Sequence, residues 1–173
     1  GVFRPSSGTW YIANSFSNSF TTVQFGAAGD KPVQGDFDGD TRSDIAVFRP
    51  SDGVWYQIRS ANGAFFAQQF GTAGDQPVAA DFDGDGIADL AVYRASEGIW
   101  YIRNSGNGAF TSRNWGVASD IPVPADYDGD GKANVAVFRP EGGFWYILNA
   151  DLSFSTIQFG QNGDIPTPGA FNN

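Results

Sequence analysis

Short apolar and aromatic runs alternate along the chain with polar turns rich in glycine, asparagine and aspartate. Residues 44–49, 54–58 and 65–70 carry many of the β-branched and aromatic side chains that strands favour. Pro50 fixes φ early in the first turn between them, Gly53 accepts a positive φ at its end, and Asn62-Gly63 is a hairpin signal. Because no helical period is present, this pattern predicts antiparallel β-structure throughout.

The pattern returns every 45 residues, most visibly at the Trp-Tyr pairs that start at Trp10, Trp55, Trp100 and Trp145. A run such as residues 76–80 precedes each group of three, so one repeat holds four short strands. A fixed period in this range is typical of solenoids and propellers. Parallel β-helices have shorter coils, and sandwiches do not repeat their own sequence. We therefore predict an all-β β-propeller built of four-stranded antiparallel blades.

The two ends of the sequence match different parts of the repeat. Residues 1–5 align with 46–50, a second strand, whereas residues 165–173 align with a first strand. We predict a single domain over residues 1–173 with four blades and repeats starting near 36, 81 and 126. Residues 1–35 plus 162–173 form a composite blade, and pairing of the N- and C-terminal strands closes the ring. There are two alternatives. A partner chain completes the composite blade, which means self-association through the terminal strands, or the chain is a piece of a longer array.

Each repeat contains one aspartate-rich loop that we predict to bind a metal ion. Alternate side chains point inward in a curled loop, so positions 1, 3, 5 and 9 supply side-chain ligands and position 7 supplies its carbonyl oxygen. All donors are hard oxygen atoms, and there is no cysteine or histidine, so we predict about three Ca²⁺ ions rather than zinc. The predicted ligands are Asp36, Asp38, Asp40, Arg42 and Asp44; Asp81, Asp83, Asp85, Ile87 and Asp89; Asp126, Asp128, Asp130, Lys132 and Asn134.

A simpler interpretation of these loops requires no metal ion, because Asp-Gly stretches also form plain turns. Three copies in register favour metal binding. The third loop carries Asn134 where the others carry aspartate, so we expect the weakest affinity there. The composite blade has Ala170 and Asn172 at the first and third positions, and we assign it no metal.

The phased motifs resemble a known family. Asp-x-Asp-Gly-Asp-x-x-x-Asp, together with Phe-Gly and a downstream Gly-Asp-x-Pro, is similar to the FG-GAP/VCBS repeats, and the resemblance covers essentially the whole chain. That family includes the integrin α-subunit head, bacterial surface proteins and some propeller lectins. The resemblance implies a calcium-binding propeller of the cell adhesion type and permits a carbohydrate-binding lectin.

Composition narrows the partners. The net charge is −9 with only 10 basic residues, so no nucleic-acid surface is expected. No apolar run reaches the roughly 18 residues that a membrane-spanning helix requires, so we expect no membrane insertion. Weak calcium sites are useful where calcium is plentiful, so we expect a secreted or cell-surface protein. The chain starts at Gly1 and contains no methionine, and we interpret it as a processed or excised piece of such a protein.

Other recurring residues are interpreted as structural. We expect the Trp-Tyr pairs to pack in the core rather than to stack on sugars, and Asp30, Asp75, Asp120 and Asp164 to cap turns. The recurring arginines are expected to bond turn or loop carbonyls, and the alternative is that they line a charged rim; they are Arg4, Arg49, Arg94 and Arg139.

Without histidine or cysteine, the chain lacks Ser-His-Asp and Cys-His chemistry, and its non-repeat acids sit mainly in surface turns. We therefore predict no enzyme but a calcium-binding, extracellular, non-catalytic module for binding, adhesion or structure, with a protein or glycan ligand. The alternatives are a lectin and a subunit of a self-assembling filament or surface structure.

Overall fold

The computed structural model describes residues 1–14 and 17–168, and every regular element within them is a β-strand. In these two ranges no helix is long and apolar enough to cross a membrane. The strands form four antiparallel sheets, so the prediction of an all-β chain is confirmed. The chain divides into two compact units, Gly1–Ala73 and Gly74–Asn173, each with two of the sheets.

Strands that are consecutive in sequence are neighbours in every sheet. In the first unit, sheet 1 has three strands: β1 (Val2–Arg4), β2 (Thr9–Asn14) and β3 (Ser19–Gln24). Sheet 2 has four strands: β4 (Lys31–Val33), β5 (Ile45–Arg49), β6 (Val54–Ile58) and β7 (Phe65–Gln69).

The second unit repeats this arrangement with two four-stranded sheets. Sheet 3 has the strands β8 (Gln76–Ala80), β9 (Asp89–Arg94), β10 (Ile99–Arg103) and β11 (Phe110–Asn114). Sheet 4 has the strands β12 (Ile121–Pro122), β13 (Val135–Arg139), β14 (Phe144–Leu148) and β15 (Phe154–Gln158).

The second strand of each four-stranded sheet is buried on both faces. Ala46, Val47 and Phe48 of β5 are 0% exposed, and the matching residues of β9 and β13 are at most 1% exposed. Successive side chains of a strand point to opposite faces, so a continuous buried run requires cover on both sides. In the second unit, one core joins sheets 3 and 4, with Trp100 and Val137 among its members. Neighbouring sheets of that unit therefore pack face to face.

The Phe-Gly motif ties the end of the fourth strand of a sheet back to the turn between its second and third strands. Trp55 Nε1 donates a hydrogen bond to the carbonyl oxygen of Phe70 at 2.8 Å, and Phe70 N donates to Gly53 O at 2.9 Å. Gly53 has φ 68°, and a Cβ there would overlap the carbonyl oxygen of Gly71. Only glycine fits this close approach. The indole bond recurs in the other sheets as Trp10 to Phe25, Trp100 to Trp115 and Trp145 to Phe159.

Two details differ from the sequence prediction or stay open. Lys31–Val33 pairs with β5, so the first strand of sheet 2 lies within residues 1–35, which the sequence analysis counted with the composite blade. The reason is register, since Pro32 lies opposite Val47. Sheet 1 has three strands within the described ranges, and residues 165–168 are not in a strand. The remainder of the predicted closing strand, including Ala170 and Asn172, lies outside the described residues, so the closed ring stays a prediction.

The buried hydroxyl of Tyr93 gives the fold a pH dependence. It donates a hydrogen bond to Val117 O at 2.6 Å, and burial raises the pKa of Tyr93 from 10.0 to about 12. The unfolded chain thus releases this proton first, and the stability Tyr93 contributes is complete below pH 10 and is lost as the pH rises toward 12. We expect Tyr93→Phe to lose less unfolding free energy than the wild type across this interval, measured by denaturant titration at several pH values. Equal losses in both proteins would contradict the assignment.

Candidate metal centre

The three aspartate-rich loops join the first and second strands of sheets 2, 3 and 4. In each loop, the carboxylates at positions 1, 3 and 5 offer one oxygen atom apiece, and these atoms lie within 4.8 Å of one another. The three clusters are Asp36, Asp38 and Asp40; Asp81, Asp83 and Asp85; Asp126, Asp128 and Asp130. The structure therefore brings together the side chains that the spacing predicted at these positions.

The first aspartate organises each loop by accepting backbone hydrogen bonds. Asp36 Oδ1 accepts from Gly39 N at 2.7 Å, and Asp36 Oδ2 accepts from Thr41 N at 2.6 Å. Such bonds from an aspartate to its own downstream backbone favour a tight turn. The same bonds curl the other two loops, from Gly84 and Gly86 to Asp81 and from Gly129 and Gly131 to Asp126.

These bonds also lower the proton affinity of two of the first-position carboxylates. Burial raises the pKa of Asp36, but the N–H groups of Gly39 and Thr41 outweigh it, so the pKa lies below its ordinary value. The N–H of Gly131 likewise lowers the pKa of Asp126. In contrast, burial raises the pKa of Asp89, and the charges of Asp83 and Asp81 add to this effect. Asp36 and Asp126 therefore ionise more readily than an ordinary aspartate, and Asp89 less readily.

The ninth position is buried and is not part of the three-carboxylate cluster. Asp44 is buried, and its two oxygen atoms accept hydrogen bonds from Phe37 N at 2.8 Å and Ser60 N at 2.6 Å. Asp89 does the same with Phe82 N and Ser105 N. The ninth residue therefore fixes the loop to the sheet, and its direct ligation of a metal stays a prediction.

The seventh position also has a defined role in the backbone. The N–H groups of Arg42, Ile87 and Lys132 donate to the carboxylates of Asp40, Asp85 and Asp130, at 2.9, 2.9 and 2.8 Å. The N–H of the seventh residue therefore holds the carboxylate at position 5. Ligation by the carbonyl oxygens of these three residues stays a prediction.

A recurring serine was missed by the sequence analysis. Ser60 Oγ donates to Asp40 Oδ2 at 2.7 Å, and Ser105 Oγ donates to Asp85 Oδ2 at 3.0 Å. Both serines orient the fifth-position carboxylate from the neighbouring hairpin. The signal was available, because the two serines are 45 residues apart and Ala150 replaces them in the third repeat.

The second loop contains an observation that points to a cation. Asp83 Oδ1 is buried and has no hydrogen-bond partner within the described residues. A buried carboxylate oxygen without a partner is costly unless a positive charge compensates it. The donor set consists only of oxygen atoms, which hard cations such as Ca²⁺ prefer. The residues therefore fit a calcium ion.

The three loops differ in exposure and charge. The first cluster is partly buried, whereas all three carboxylates of the third are exposed. Asn134 Nδ2 donates to Asp128 Oδ2 at 3.2 Å, a contact that an aspartate could not make. In the first loop, Arg59 approaches Asp44 at 3.5 Å, and Thr41 adopts φ 68° where the other loops have glycine. These differences predict unequal affinities, with the third loop the weakest.

The recurring arginines behave differently from the expectation. Arg49 forms two hydrogen bonds with Asp30, at 2.8 and 2.9 Å, rather than with a turn carbonyl, so that interpretation is wrong. The geometry favours this pair because Asp30 directly precedes β4 and Arg49 ends the adjacent β5. Asp30 still caps its turn by accepting from Ala27 N, as predicted. The bonds to Asp30 raise the pKa of Arg49 above its ordinary value.

The Trp-Tyr pairs largely follow the prediction. Trp55 and Trp100 are 0% exposed and Trp10 is 7% exposed, whereas Trp145 is only partly buried. Their positions suit the core rather than a sugar-stacking platform.

The geometry described above agrees with a comparison of the sequence with known families. A family model for FG-GAP-like repeats matches residues 36–92 and 81–137, which together cover more than half of the chain. The chain belongs to the FG-GAP-like repeat family. Each match starts at the first aspartate of one loop and ends in the second strand of the next sheet, which directly follows the next loop. Among curated proteins, none matches this FG-GAP-like chain.

Proposed function

We propose that this FG-GAP-like chain is a calcium-binding, extracellular, non-catalytic module in which the ions stabilise the repeats. The observation that carries the proposal is the convergence of three carboxylates in every loop, together with the partnerless buried oxygen of Asp83. Three adjacent carboxylates repel one another without a cation. Mg²⁺ fits less well, because it dehydrates reluctantly and requires near-ideal octahedral geometry.

A non-catalytic role is supported by the acids outside the loops. Asp52 and Glu97 are exposed in turns, where they accept hydrogen bonds from the hydroxyls of Tyr56 and Tyr101 at 3.2 and 3.0 Å. FG-GAP repeats are generally non-catalytic and typically extracellular. Secretion also suits calcium sites of modest affinity, because calcium outside cells is abundant.

Calcium titration by isothermal calorimetry tests the proposal. We expect about three ions per chain, with the weakest site in the third loop because its ninth residue is uncharged. Asn134→Asp adds a carboxylate next to Asp128, and we expect it to raise the affinity of this site roughly tenfold, at about 1.4 kcal/mol of binding free energy. A matched control is Asn107→Asp, which adds the same charge in an exposed hairpin turn.

Two results would contradict this proposal. The first is the absence of any heat of calcium binding, which would show that the loops act only as turns. The second is an equal gain in affinity from Asn134→Asp and Asn107→Asp, which would reduce the effect to overall charge.

A second candidate function, carbohydrate binding, is supported by exposed aromatic side chains at matching positions. Phe65 and Phe110 start the fourth strands of sheets 2 and 3 and are 64% and 60% exposed. They stack on Tyr56 and Tyr101 with ring centroids 6.2 and 6.1 Å apart. Rigid aromatic surfaces of this kind suit the apolar face of a sugar or a protein partner. A glycan array tests this function. We expect glycan binding by the wild type and its loss in a Phe65→Ala, Phe110→Ala variant, whereas no binding by the wild type would favour a protein ligand.

A further inference from the structure

A polar pocket of about 220 Å³ lies between sheets 3 and 4 of the second unit. Its polar lining comes from two sides: Asn104, Thr111 and Arg113 from sheet 3, and Asp130, Lys132 and Asn149 from sheet 4 and the third aspartate-rich loop. Small-molecule sites combine apolar walls with a few convergent polar groups, and those for drug-sized ligands measure about 300–1,000 Å³. This pocket therefore suits a smaller molecule or one group of a larger one.

The side chains of sheet 3 reach the pocket because of their register. Thr111 lies opposite Ile102, and Arg113 lies opposite Trp100. Ile102 and Trp100 belong to the core that joins sheets 3 and 4. Residues directly opposite each other in an antiparallel pair share a face of the sheet, so Thr111 and Arg113 are also directed toward sheet 4.

Two of the lining side chains have no hydrogen-bond partner in the described ranges. Asn104 and Thr111 are half-buried, and no hydrogen bond among the described residues involves the side chain of either. Their equivalents in sheet 1 bond to each other, with Asn14 Nδ2 donating to Thr21 Oγ1 at 3.0 Å. In sheet 3 the carboxamide and the hydroxyl are therefore available to a ligand.

The pocket also has two cations without a direct carboxylate partner. No ion pair within 4.0 Å involves Arg113 or Lys132 in the part of the chain that the structure describes. Arg113 Nη1 donates to Ser112 O at 2.9 Å, which leaves the other N–H donors of the guanidinium for a ligand. The stem of Lys132 is held against the second loop, because a Cβ on Gly84 would lie 3.1 Å from its Cγ and Cε atoms.

The repeat is broken at this pocket. The position of Arg113 is occupied in the other repeats by Val23, Gln68 and Ile157. Ala150 replaces the serine that orients the fifth-position carboxylate in the first two loops, so Asp130 has no such hydroxyl partner. A residue that recurs in every repeat usually serves the fold, whereas departures that meet at one pocket indicate a local role.

The charges around the pocket select the ligand. Without calcium, the three carboxylates of the third loop repel an anion. With one Ca²⁺ bound, as proposed above, they retain a single negative charge, which the positive charges of Arg113 and Lys132 exceed by one. An anion with a single charge then restores neutrality. A guanidinium binds a carboxylate with two parallel hydrogen bonds, so a carboxylate fits this requirement.

We propose that this pocket binds a small ligand with a single carboxylate. Arg113 holds the carboxylate, Lys132 supplies the second positive charge, and Asn104 and Thr111 bond the polar groups next to it. The ligand is a free hydroxy acid or the acidic residue of a carbohydrate, which present the same carboxylate and hydroxyl groups. The inference rests on the proposed calcium binding in the third loop and adds a second ligand to it.

A titration followed by nuclear magnetic resonance tests the site. The calcium-loaded, isotope-labelled chain is titrated with lactate, glucuronate and neutral glucose at constant ionic strength. We expect saturable shifts of the backbone N–H signals at residues 104–113 and 130–134 for both anions, and none for glucose. Tighter binding of glucuronate assigns the acidic carbohydrate, whereas equal or tighter binding of lactate assigns the free hydroxy acid.

Three results overturn the inference, and they can be told apart. Calcium binding without a saturable shift for either anion overturns this inference alone. Shifts with glucose that equal those with glucuronate overturn the recognition of a carboxylate. If calorimetry detects no calcium binding, the proposed function fails and this inference fails with it.

Arg113→Gln and Arg103→Gln form a matched pair of variants. Both remove one positive charge from an exposed arginine of sheet 3, but Arg103 directly follows Ile102 in β10 and points to the opposite face. We expect Arg113→Gln to weaken anion binding about 10-fold to 100-fold, the effect of losing charge-assisted hydrogen bonds. Arg103→Gln should leave the affinity unchanged. Equal affinities of the two variants contradict a site at Arg113.

Lys132→Gln provides a second variant that does not depend on Arg113. The ammonium group is an exposed point charge, so we expect its loss to weaken anion binding about threefold. Calcium affinity, measured in parallel, should not fall, because the variant removes a positive charge beside the loop. A loss of anion binding that only follows a loss of calcium binding overturns the role of Lys132 at the pocket.

Discussion

Chelation of calcium is expected to lower the melting temperature of this FG-GAP-like chain by many degrees. A ligand that binds only the folded state stabilises it by about 2.7 kcal/mol per site at a hundredfold excess over its Kd. For a chain of this size, that corresponds to roughly 5–10 °C for each site. The three carboxylate clusters account for the effect, because their charges lie within 4.8 Å of one another and repel when the ion is removed. Calorimetric melting in calcium and in excess chelator measures it.

The control for this experiment is a chain that has lost one cluster. Asp81→Asn, Asp83→Asn, Asp85→Asn removes the charge of the second loop while keeping oxygen acceptors for the backbone of that loop. Its melting temperature should respond less to chelator than that of the wild type. If the wild type melts at the same temperature with and without calcium, the loops act only as turns.

Loss of one buried carboxylate of the ion-pair series is expected to have the second largest effect. The side chain of Asp120 is 0% exposed, and it accepts two hydrogen bonds from Arg139 and one from Val117 N. Asp120→Ala leaves the guanidinium and the N–H without this partner. Removing one member of a buried pair costs about 3–5 kcal/mol, and we expect the lower end because Arg139 is 28% exposed. The expected fall in melting temperature is roughly 6–12 °C.

Two variants make this measurement specific. Glu141→Ala removes an exposed carboxylate from the same unit and should change the unfolding free energy by less than about 0.5 kcal/mol. Asp120→Asn retains an acceptor for Val117 N and should fall between the two alanine variants. Equal stability of Asp120→Ala and Glu141→Ala would show that the ion pair does not contribute.

The sequence predicted the strands well because each strand carries its signal locally. The second, third and fourth strands of sheet 2 lie within one residue of their predicted bounds, and Gly53 and Gly63 have the positive φ that their turns required. The first strand was harder to assign to a sheet. Lys31–Val33 is short, contains proline and precedes a long loop, so only its pairing with β5 places it in sheet 2.

The side-chain contacts of the arginines were less predictable for a physical reason. Period 45 shows that Arg49 and Arg94 share an environment, but it does not show what they contact. Their aspartate partners are 19 residues away and come together only when the first two strands pair. The opposite charges that recur at this constant spacing were nevertheless visible in the sequence.

The sequence predicted that the carboxylates at positions 1, 3 and 5 come together. It did not predict the backbone hydrogen bonds that the ninth residue accepts. Asp44 and Asp89 bond to backbone N–H groups of the neighbouring hairpin as well as of the loop. Sequence spacing describes the loop alone and cannot include a hairpin that arrives 16 residues later. The serines that orient Asp40 and Asp85 were missed for the same reason.

The bond between the tryptophan indole and the Phe-Gly backbone has a consequence for how such chains lengthen. Trp55 and Phe70 belong to one repeat, as do Trp100 and Trp115, so each sheet contains the bonds that hold its own last two strands. A tandem duplication of 45 residues would therefore create a complete new sheet without compensating substitutions elsewhere. Gene duplication can change the number of sheets in one step, and selection then acts on the outward-facing residues that remain free to diverge.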